Sequence, residues 1–441
     1  MAPDSLLVTW LPGLGLALAL ACLWAALRAG KRKRLVDDLP TSKTTGVFIG
    51  LVELKGTAEA EMPLTSYLAA TACVAYDWSI QEHWSRTVIE TYTDSQGRPQ
   101  TRTRTESSWT TIAQGNQCLP FYLKDDCGVI RIEPEGARLE PQTVMDQTCG
   151  RADPLYYGKG PGGAVANSDH RRRFHETAIP LHAALYVMGQ ARERPDVVAP
   201  EIAQDRNAPL FLISTRSEAA VSAEFRWSFL GWTALGLVLA VAGWFARDLA
   251  RGADPQVRWP HYGLAGAGYL GAAALGWVWM VFNSLIDLRQ RVRQAWAQVD
   301  VQLQRRHDLI PELVQMVKGL RDYERTLQTE VAELRSQLAA TPPGEPGPDY
   351  RACTKMLVAI AERYPELKTQ ESFANLRKNL VDTEQRIALA RAYFNDIATF
   401  YNTRLEIVPD RWIAALGALR VQALMAANDF ERAPVPVALA G

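Results

Sequence analysis

The chain lacks an excess of charge of either sign, and it lacks cysteine pairs at metal-binding spacing. Its 441 residues carry 48 Lys and Arg against 48 Asp and Glu. Because nucleic-acid binding draws on an excess of basic residues, this balance gives no reason to expect a nucleic-acid partner. None of the six cysteines belongs to a C-x-x-C pair, the spacing typical of zinc and redox sites. The sequence therefore predicts no metal site and no bound cofactor.

The cysteines are better explained as small apolar side chains in a reducing compartment. Cys22 lies in an apolar run, and the other five are Cys73, Cys118, Cys127, Cys149 and Cys353. Cys118 and Cys127 could form a disulfide if the orientation derived below were inverted. The redox state of these two residues is therefore a check on that orientation.

Charge is also absent from three long apolar runs, Leu6–Leu27, Trp227–Ala246 and Tyr262–Leu285. A helix needs roughly 20 mostly apolar residues to cross ~30 Å of hydrocarbon, and all three runs are long enough. The runs therefore predict three transmembrane helices in an integral membrane protein. They contain no Asp, Glu, Lys, Arg or His, so the sequence gives no sign of a proton or ion pathway.

Basic residues follow the first run instead of preceding it. Met1–Ser5 carries an Asp and no basic residue, so we expect a retained span and not a cleaved signal peptide. Under the positive-inside rule, the cluster after the run places the N-terminus outside and both soluble segments in the cytoplasm, at a bacterial inner membrane. The cluster is Arg28, Lys31, Arg32, Lys33 and Arg34. Three arginines in the short loop between the second and third runs oppose this orientation: Arg247, Arg251 and Arg258.

Small residues recur every fourth position in two of the runs. Such stripes let helices approach closely in lipid, which predicts either packing within the chain or a homo-oligomer. The alternative is the general richness of membrane helices in Gly and Ala. The stripes are Gly13, Ala17, Ala21 and Ala25 in the first run, and Gly263, Ala267, Gly271 and Gly268, Ala272, Gly276 in the third.

Residues 44–216 are predicted to form a β-rich domain, because β-branched and aliphatic residues alternate between turn signals. Asp94–Pro99 predicts the turn of a hairpin with one solvent-facing side. The Gly-rich stretch Tyr156–Asp169 predicts an irregular loop. The expected strands are Val47–Leu54 (ending at Gly56), Ala72–Ile80, Val88–Thr93, Gln100–Ile112, Phe121–Leu123, Val129–Ile132, Ala178–Gly189 and Leu210–Ser214.

Three motifs in this domain could suggest chemistry, but each departs from the required pattern. Gly158–Gly163 lacks the G-x-x-x-x-G-K-[ST] spacing of a phosphate loop. His175 and Glu176, followed by His182, do not form H-E-x-x-H and lie on an expected strand. Arg171–Arg173 could contact anionic lipid, with a solvated loop as the alternative interpretation.

Several short motifs in this segment resemble the GIDE domain. They are Pro63-Leu64-Thr65-Ser66, Cys73-Val74-Ala75-Tyr76, Asp125-Asp126-Cys127-Gly128 leading to Pro134, and His175-Glu176-Thr177 before Tyr186-Val187-Met188-Gly189. The resemblance implies a domain between two membrane spans, as in mitochondrial RING-type ubiquitin ligases and their bacterial relatives. Ubiquitin transfer in those ligases depends on a separate zinc-binding RING. Beyond residue 216 this chain has only Cys353, so the resemblance does not extend to a RING.

The C-terminal part, residues 286–438, is predicted to be nearly all helical. Apolar residues on two segments recur at alternating steps of three and four, which predicts packed helices close to a coiled-coil period. One stripe grows directly out of the third run, so we expect a single helix that leaves the membrane. The stripes are Leu285, Leu288, Val292, Ala295, Val299, Leu303 and Phe373, Leu376, Leu380, Thr383, Ile387, Ala390, Phe394, Ile397, Tyr401.

Proline and glycine residues divide this helical part into segments. Pro311 predicts a kink, or a new helix with Asp308 near its cap. An apolar face over Leu313–Leu338, a Pro/Gly-rich loop over Thr341–Asp349 and a short helix over Cys353–Arg363 are expected to follow.

These residues closely resemble the LemA family. The motifs are Ala295-Trp296, Asp300-Val301-Gln302-Leu303, Arg305-Arg306, Asp308-Leu309-Ile310-Pro311, Tyr364-Pro365-Glu366-Leu367-Lys368, Tyr393-Phe394-Asn395-Asp396 and Tyr401-Asn402. The resemblance implies an external N-terminus, a span and a cytoplasmic antiparallel helical bundle, and it attributes no catalytic constellation to the family.

Two polar groups in this part allow alternative interpretations. Asp300, Arg305, Arg306 and Asp308 could form a binding site or ion-pair network, or be surface charges on one long helix. Tyr393, Asn395 and Asn402 could form a polar seam that fixes helix register. Neither group contains a nucleophile paired with a base, so no catalytic residue is assigned.

The sequence as a whole predicts a membrane α+β protein. We expect three transmembrane helices, a β-rich GIDE-like domain between the first two, and a LemA-like bundle continuous with the third. The predicted function is a non-enzymatic scaffold or adaptor whose partners are membrane lipid and membrane or cytoplasmic proteins. The alternative is an enzyme component, either a RING-less relative of GIDE-type ubiquitin ligases or a subunit assisting a membrane quality-control protease.

Overall fold

The computed structural model describes residues 3–93, 99–194, 199–205, 208–252, 255–318 and 371–425. These residues form two units. Thr41–Glu218 is a β-rich unit, and residues 1–40 together with 219–441 contain the helical unit. The predicted α+β class, with its β-rich middle region, is confirmed. The expected features over 313–338, 341–349 and 353–363 lie wholly or largely outside the described residues, as do the turn centred on 94–98 and Cys353.

One sheet of the β-rich unit closes on itself. Its strands run in the order β1-β2-β6-β7-β12-β11-β13-β8, and a further pairing of β2 with β11 closes five of them into a ring. Buried aliphatic and aromatic side chains fill this ring. The strands are β1 (Thr41–Ser42), β2 (Gly50–Glu59), β6 (Phe121–Lys124), β7 (Val129–Ile132), β8 (Arg138–Glu140), β11 (Ala184–Glu193), β12 (Pro200–Ala203) and β13 (Leu212–Ser214).

A second sheet is built on a long hairpin. β4 (Ala72–Thr93) and β5 (Pro99–Cys118) pair antiparallel along almost their whole length, as the turn signal between them predicts. β10 (Ser168–Pro180) lies on the other side of β4, followed by β9 (Gln142–Gly150), and the short β3 (Leu64–Thr65) extends the β5 side. The short helix α2 (Pro154–Gly158) precedes β10 and overlaps the start of Tyr156–Asp169, which was predicted to be an irregular loop.

Several strand boundaries in the sequence prediction were wrong, and three of the differences have a clear physical reason. β4 is one strand where two were expected, because β5 supplies a partner for the polar residues between them. The expected strand over 178–189 is two strands in different sheets, separated at His182, whose φ is 62°. β2 continues through Gly56, where a Cβ atom would collide with the carbonyl of Lys124, so glycine permits pairing there and does not end the strand.

Three helices among the described residues are long and apolar enough to cross a membrane. They are α1 (Pro3–Asp37), α3 (Glu218–Ala250) and α4 (Pro255–Lys318), and each contains one of the predicted runs. The 64 residues of α4 correspond to about 96 Å of helix, roughly three times the ~30 Å hydrocarbon thickness. Its second half must therefore project beyond any bilayer that holds its first half.

α4 continues as helix through Pro311 to Lys318, so no new helix begins at Asp308. Asp308 instead accepts a hydrogen bond from the Gln304 amide one turn earlier, at 3.0 Å. Asp308 therefore lies inside the helix and is not the N-cap residue that was predicted.

The predicted apolar stripes are confirmed wherever their side chains are described. All six stripe residues of α4, from Leu285 to Leu303, are buried. On α5 (Glu371–Glu406), the stripe from Thr383 to Tyr401 is buried, and the side chains of Phe373, Leu376 and Leu380 lie outside the described part. Trp296 of α4 meets Phe394 of α5 edge to face, with ring centroids 5.4 Å apart. The chain then turns into α6 (Asp410–Leu416).

In the third run, Ala272 and Gly276 of one predicted stripe pack against other helices, and Gly276 lies against Leu27 of α1. On α1, small residues also pack inward, but not those of the predicted stripe. Gly13, Ala17 and Ala21 are exposed on α1. The buried face carries Gly15 instead, whose missing Cβ leaves room for the Leu239 carbonyl and for Gly243 of α3. The two faces differ by two positions, and a four-residue repeat in a run rich in Gly and Ala does not indicate which one packs inward.

We predict that Phe394→Asp will destabilise the helical unit strongly, because the side chain is only 4% exposed and would carry a charge into an apolar contact. The expected cost is about 3 kcal/mol or more. Thermal unfolding of the purified full chain, followed by circular dichroism, measures it. Phe400→Asp is the matched control, because Phe400 lies on the same helix and is 38% exposed. Equal melting temperatures for the two variants would contradict the packing of α5.

Candidate functional site

Four charged side chains meet where α1 ends, and we call this group the charged junction: Arg34, Asp38, Arg404 and Asp410. Arg34 donates two hydrogen bonds to the Asp410 carboxylate, at 2.8 and 2.9 Å. Arg404 Nε donates to Asp38 Oδ1 at 2.7 Å, and its Nη1 lies 3.9 Å from Asp410 Oδ2. The junction thus joins the end of α1 to the end of α5 and the start of α6.

Helix geometry suits the positions of these charges. Arg34 and Arg404 lie in the last turns of α1 and α5, and Asp410 lies in the first turn of α6. Cations at helix C-termini and anions at helix N-termini are favoured by the helix dipole. Each of these side chains is therefore stabilised locally as well as by its partner.

Both carboxylates of the charged junction are almost completely buried, with Asp38 5% and Asp410 2% exposed. Burial raises the pKa of Asp38, and the neighbouring Arg404 and Arg34 charges only partly oppose this effect. A buried ion pair adds little net stability, yet removing one partner is costly because the other charge remains buried. The charged junction is therefore a geometric constraint and not a source of reactive groups.

The sequence assigned Arg34 to a basic cluster that sets membrane orientation, and it gave no sign of this pairing. Arg34 and Asp410 are separated by 376 positions. Only the packing of α4 against α1, α5 and α6 brings them together. No local signal in a single sequence reports such a contact.

A second polar group holds the chain after α6 against α5. Asn402 donates to the Gln422 carbonyl and accepts from the Gln422 amide, both at 2.8 Å. Asn395 makes the same pair of bonds with Met425, at 3.0 and 2.8 Å. We call these two residues the asparagine clamp. They were predicted to fix helix register, and the structure instead has them bind the backbone of their own chain.

The spacing of the asparagine clamp explains why two side chains suffice. Seven residues of helix rise about 10.5 Å, and three residues of extended chain span about 10 Å. Because the two distances match, Asn395 lies opposite Met425 and Asn402 lies opposite Gln422 at the same time. Each amide satisfies one backbone donor and one backbone acceptor of residues that are neither helix nor strand.

The other predicted polar group on α4 is described only in part. Asp300 and Arg305 are exposed, Asp308 bonds to Gln304, and the side chain of Arg306 lies outside the described residues. The exposure of Asp300 and Arg305 is what surface charges on one helix would show, and the ion-pair network stays an untested alternative.

In the β-rich unit, the carbonyl oxygens of the Gly-rich loop surround the side chain of Arg172. Carbonyl oxygens of Tyr156, Pro161 and Gly163 accept hydrogen bonds from the Arg172 guanidinium at 2.6–2.8 Å. A phosphate cradle presents amide N–H groups, so this loop has the opposite polarity. Arg172 is completely buried and pairs with Glu82 at 3.2 Å. Burial acts to raise the pKa of Glu82, but hydrogen bonds from Ser168 and Tyr156 and the Arg172 charge lower it overall.

The three consecutive arginines do not lie in a solvated loop, the alternative interpretation that the sequence offered. They lie on β10, where side chains alternate between the two faces of the sheet. Arg172 points inward, and Arg173 on the outer face pairs with Asp146 at 2.9 Å. The loop placement was wrong, and contact of the exposed Arg171 and Arg173 with anionic lipid stays a prediction.

His175, Glu176 and His182 also serve separate contacts, and His175 Nδ1 lies 3.5 Å from Asp146 Oδ2. Glu176 is buried and accepts hydrogen bonds from Ser66 Oγ and from the backbone amides of Leu68 and Ala69, at 2.7–3.0 Å. His182 pairs with Glu59, at 2.8 Å. Among the described residues, His175, Glu176 and His182 do not form a group close enough to share a metal ion.

The acidic turn between β6 and β7 contains a group that could hold a metal ion by geometry alone: Asp125, Asp126 and Cys127. Its carboxylates are already engaged. Asp125 accepts from the Thr44 amide and hydroxyl and from the amide of Gly128, at 2.6–2.9 Å. Burial acts to raise the pKa of Asp125, and these hydrogen bonds outweigh it and lower the pKa. The turn is therefore held by its own side chain, as in an Asx-turn.

Comparison with known proteins identifies both modules. Residues 295–438 match the family model described as LemA family, and residues 89–245 match the GIDE model, described as E3 ubiquitin ligase. These matches confirm the LemA and GIDE resemblances. The chain is also similar to Magnetosome protein MamQ of Magnetospirillum gryphiswaldense, with 22% identity over 176 residues. That similarity covers 32% of this chain and 64% of MamQ, so the chain spans less than two thirds of this relative.

We predict that Asp410→Ala will destabilise the helical unit by about 3–5 kcal/mol, because it leaves Arg34 and part of Arg404 without a carboxylate in a buried setting. Arg411→Ala is the control, since Arg411 is the adjacent residue and is exposed. Thermal unfolding of the full chain gives both values. The double variant Arg34→Ala with Asp410→Ala should recover part of the loss. Additive losses from the two single variants would show that Arg34 and Asp410 are not coupled.

Proposed function

Because one chain joins a GIDE segment to a LemA segment, we propose that this membrane-associated, LemA-type protein is a non-enzymatic scaffold or adaptor. It holds both modules at the cytoplasmic face of a bacterial inner membrane, with the N-terminus outside. Its partners are lipid and other membrane or cytoplasmic proteins.

The observation that carries this proposal is the continuity of α4. A single helix runs from the apolar segment 262–285 into the stripe that packs against α5. A helix without a break transmits position and orientation, whereas a flexible linker would not. The helices of the LemA segment are therefore fixed relative to the apolar helices. A scaffold that presents one surface to a partner requires such a fixed position.

The charged junction supports the same function. It adds a second attachment, through α1, to the one that α4 provides. Two attachments restrict rotation of α5 and α6 about the axis of α4. An adaptor that must present one surface to a partner gains from this restriction, because less ordering remains to be done when the partner binds.

The polar side chains of the β-rich unit favour a structural role. The completely buried charged ones, Glu82, Arg172 and Glu176, are each bonded to loops or neighbouring strands of the same unit. Catalytic constellations instead direct a nucleophile and a base towards a common substrate position. This use of its polar groups favours a binding or spacing module over an enzyme.

The distribution of basic residues supports the orientation. Arg28, Lys31 and the following basic residues, with Arg289, Arg291 and Arg293, lie near one end of the apolar helices. The opposite end has Arg247, Arg251 and Arg258, of which Arg258 lies 3.4 Å from the buried Asp248. The larger number of Lys and Arg marks the cytoplasmic side.

We predict opposite labelling of two engineered cysteines in intact bacterial spheroplasts. A membrane-impermeant maleimide should label Ala250→Cys, which is exposed at the end of α3, without lysis. Ser108→Cys, exposed on β5, should be labelled only after lysis. The unmodified chain gives the background from its native cysteines. Labelling of Ser108→Cys in intact spheroplasts would overturn the orientation.

We also predict that the exposed face of α5 contacts other proteins. A photo-reactive amino acid at Val381, which is 50% exposed, should give discrete intermolecular adducts in cells. The same group at Ile387, which is 3% exposed, should give none and is the matched control. Adducts identified by mass spectrometry name the partners. Equal adducts at both positions, or none at either, would contradict an adaptor surface on this helix.

The enzyme alternative makes a different prediction for the purified full chain. It requires ubiquitin discharge from a charged conjugating enzyme, or stoichiometric zinc in a metal analysis. The scaffold proposal expects neither. Either result, absent from a boiled control, would replace the scaffold with an enzyme component.

A further inference from the structure

A cavity of about 340 Å³ lies between α1 and α4, where both helices change from apolar to charged sequence. Apolar side chains line one end of it: Trp24, Leu27, Trp279 and Met280. Charged side chains line the other: Arg28, Lys31, Arg34, Asp38, Asp287 and Arg291. An amphiphile is the class of ligand whose two ends would match these two walls.

The charges of the cavity are not balanced. Arg34 and Asp38 belong to the charged junction, where Asp410 and Arg404 compensate them. Three cations then face a single carboxylate, Asp287. Across the segments that the structure describes, Lys31 has no ion-pair partner, and Arg28 packs over the Trp24 ring at 5.2 Å. The polar end of the cavity is therefore electropositive.

Arg291 provides the most specific signal. Its Nη1 atom is buried and has no hydrogen-bond acceptor among the described residues. Asp287, one turn earlier, and Asp38 attract the Arg291 charge, yet neither accepts a bond from Nη1. A buried guanidinium N–H without an acceptor is costly, and a phosphate oxygen is one of the acceptors that arginine binds best.

From these contacts we propose that the cavity binds an anionic phospholipid. The headgroup phosphate lies against Arg28, Lys31 and Arg291, and an acyl chain follows Leu27 and Met280 towards the apolar segments. Trp24 and Trp279, which are 63% and 72% exposed, flank the site as tryptophans do at the headgroup level of a bilayer. Basic pockets between membrane helices are suited to anionic headgroups.

This inference rests on the proposed membrane-embedded state, but not on the orientation or on the scaffold role. Lipid retention by the purified chain can therefore succeed or fail independently of the labelling and crosslinking experiments. A homogeneous protein sample with defined lipids is sufficient for the test.

The test is native mass spectrometry of the full chain, reconstituted with equal amounts of phosphatidylglycerol and phosphatidylcholine. The expected result is preferential retention of phosphatidylglycerol. Lys31→Gln and Arg291→Gln should each lower the ratio of retained lipids about fivefold. Lys31 is exposed, so its substitution leaves packing intact even if the Arg291 variant does not fold. Arg293→Gln is the control, because Arg293 is exposed on the same helix outside the cavity.

Three results would overturn the proposal. Equal retention of both lipids would show that the site does not select charge. An unchanged ratio in Lys31→Gln and in folded Arg291→Gln would place any selectivity elsewhere. Displacement of phosphatidylglycerol by millimolar inorganic phosphate would identify a site for a soluble anion, because a bound acyl chain gives the lipid an affinity that free phosphate lacks.

Discussion

The helical unit depends on charges that are buried at the end of α1. Arg34 and Asp38 leave an apolar helix and enter a setting from which water is largely excluded, where each requires a partner of opposite charge. Those partners, Asp410 and Arg404, come from the other end of the chain. The charged junction therefore forms only when α4 and α5 have packed, and it makes the position of α1 conditional on the LemA helices.

Buried charged side chains that need partners also determine the arrangement of the β-rich unit. Arg172 on β10 is completely buried, and it is tolerable there because Glu82 and the carbonyls of the Gly-rich loop surround it. Glu176, four residues on, binds the backbone that follows β3. In both units, buried charges specify which loops and helix ends lie together, whereas apolar side chains supply most of the burial. A charge without its partner is costly, so few alternative arrangements compete.

Periodic features were predictable from sequence, and long-range pairings were not. The stripes of α4 and α5 follow from spacing alone, because one face of each helix must be covered. The β4–β5 hairpin followed from its turn signal, although the polar stretch around Glu82 concealed the continuity of β4. Arg172 was predicted to be in a loop and Asn402 to lie between helices. In each case the partner is a backbone carbonyl, which a side-chain pattern cannot report.

The charged side chains near the end of α1 serve two purposes. Some form the charged junction, and others line the cavity and are available to a lipid headgroup. Arg34 lines the cavity, yet its guanidinium is already committed to Asp410 by two hydrogen bonds. A lipid phosphate that displaced Asp410 would leave a carboxylate buried alone, which is unfavourable. The cations available for the headgroup are therefore the ones that the charged junction does not use, Lys31 and Arg291 among them. Lipid binding would add an acceptor for Arg291 without breaking the contact that holds α1 to α6.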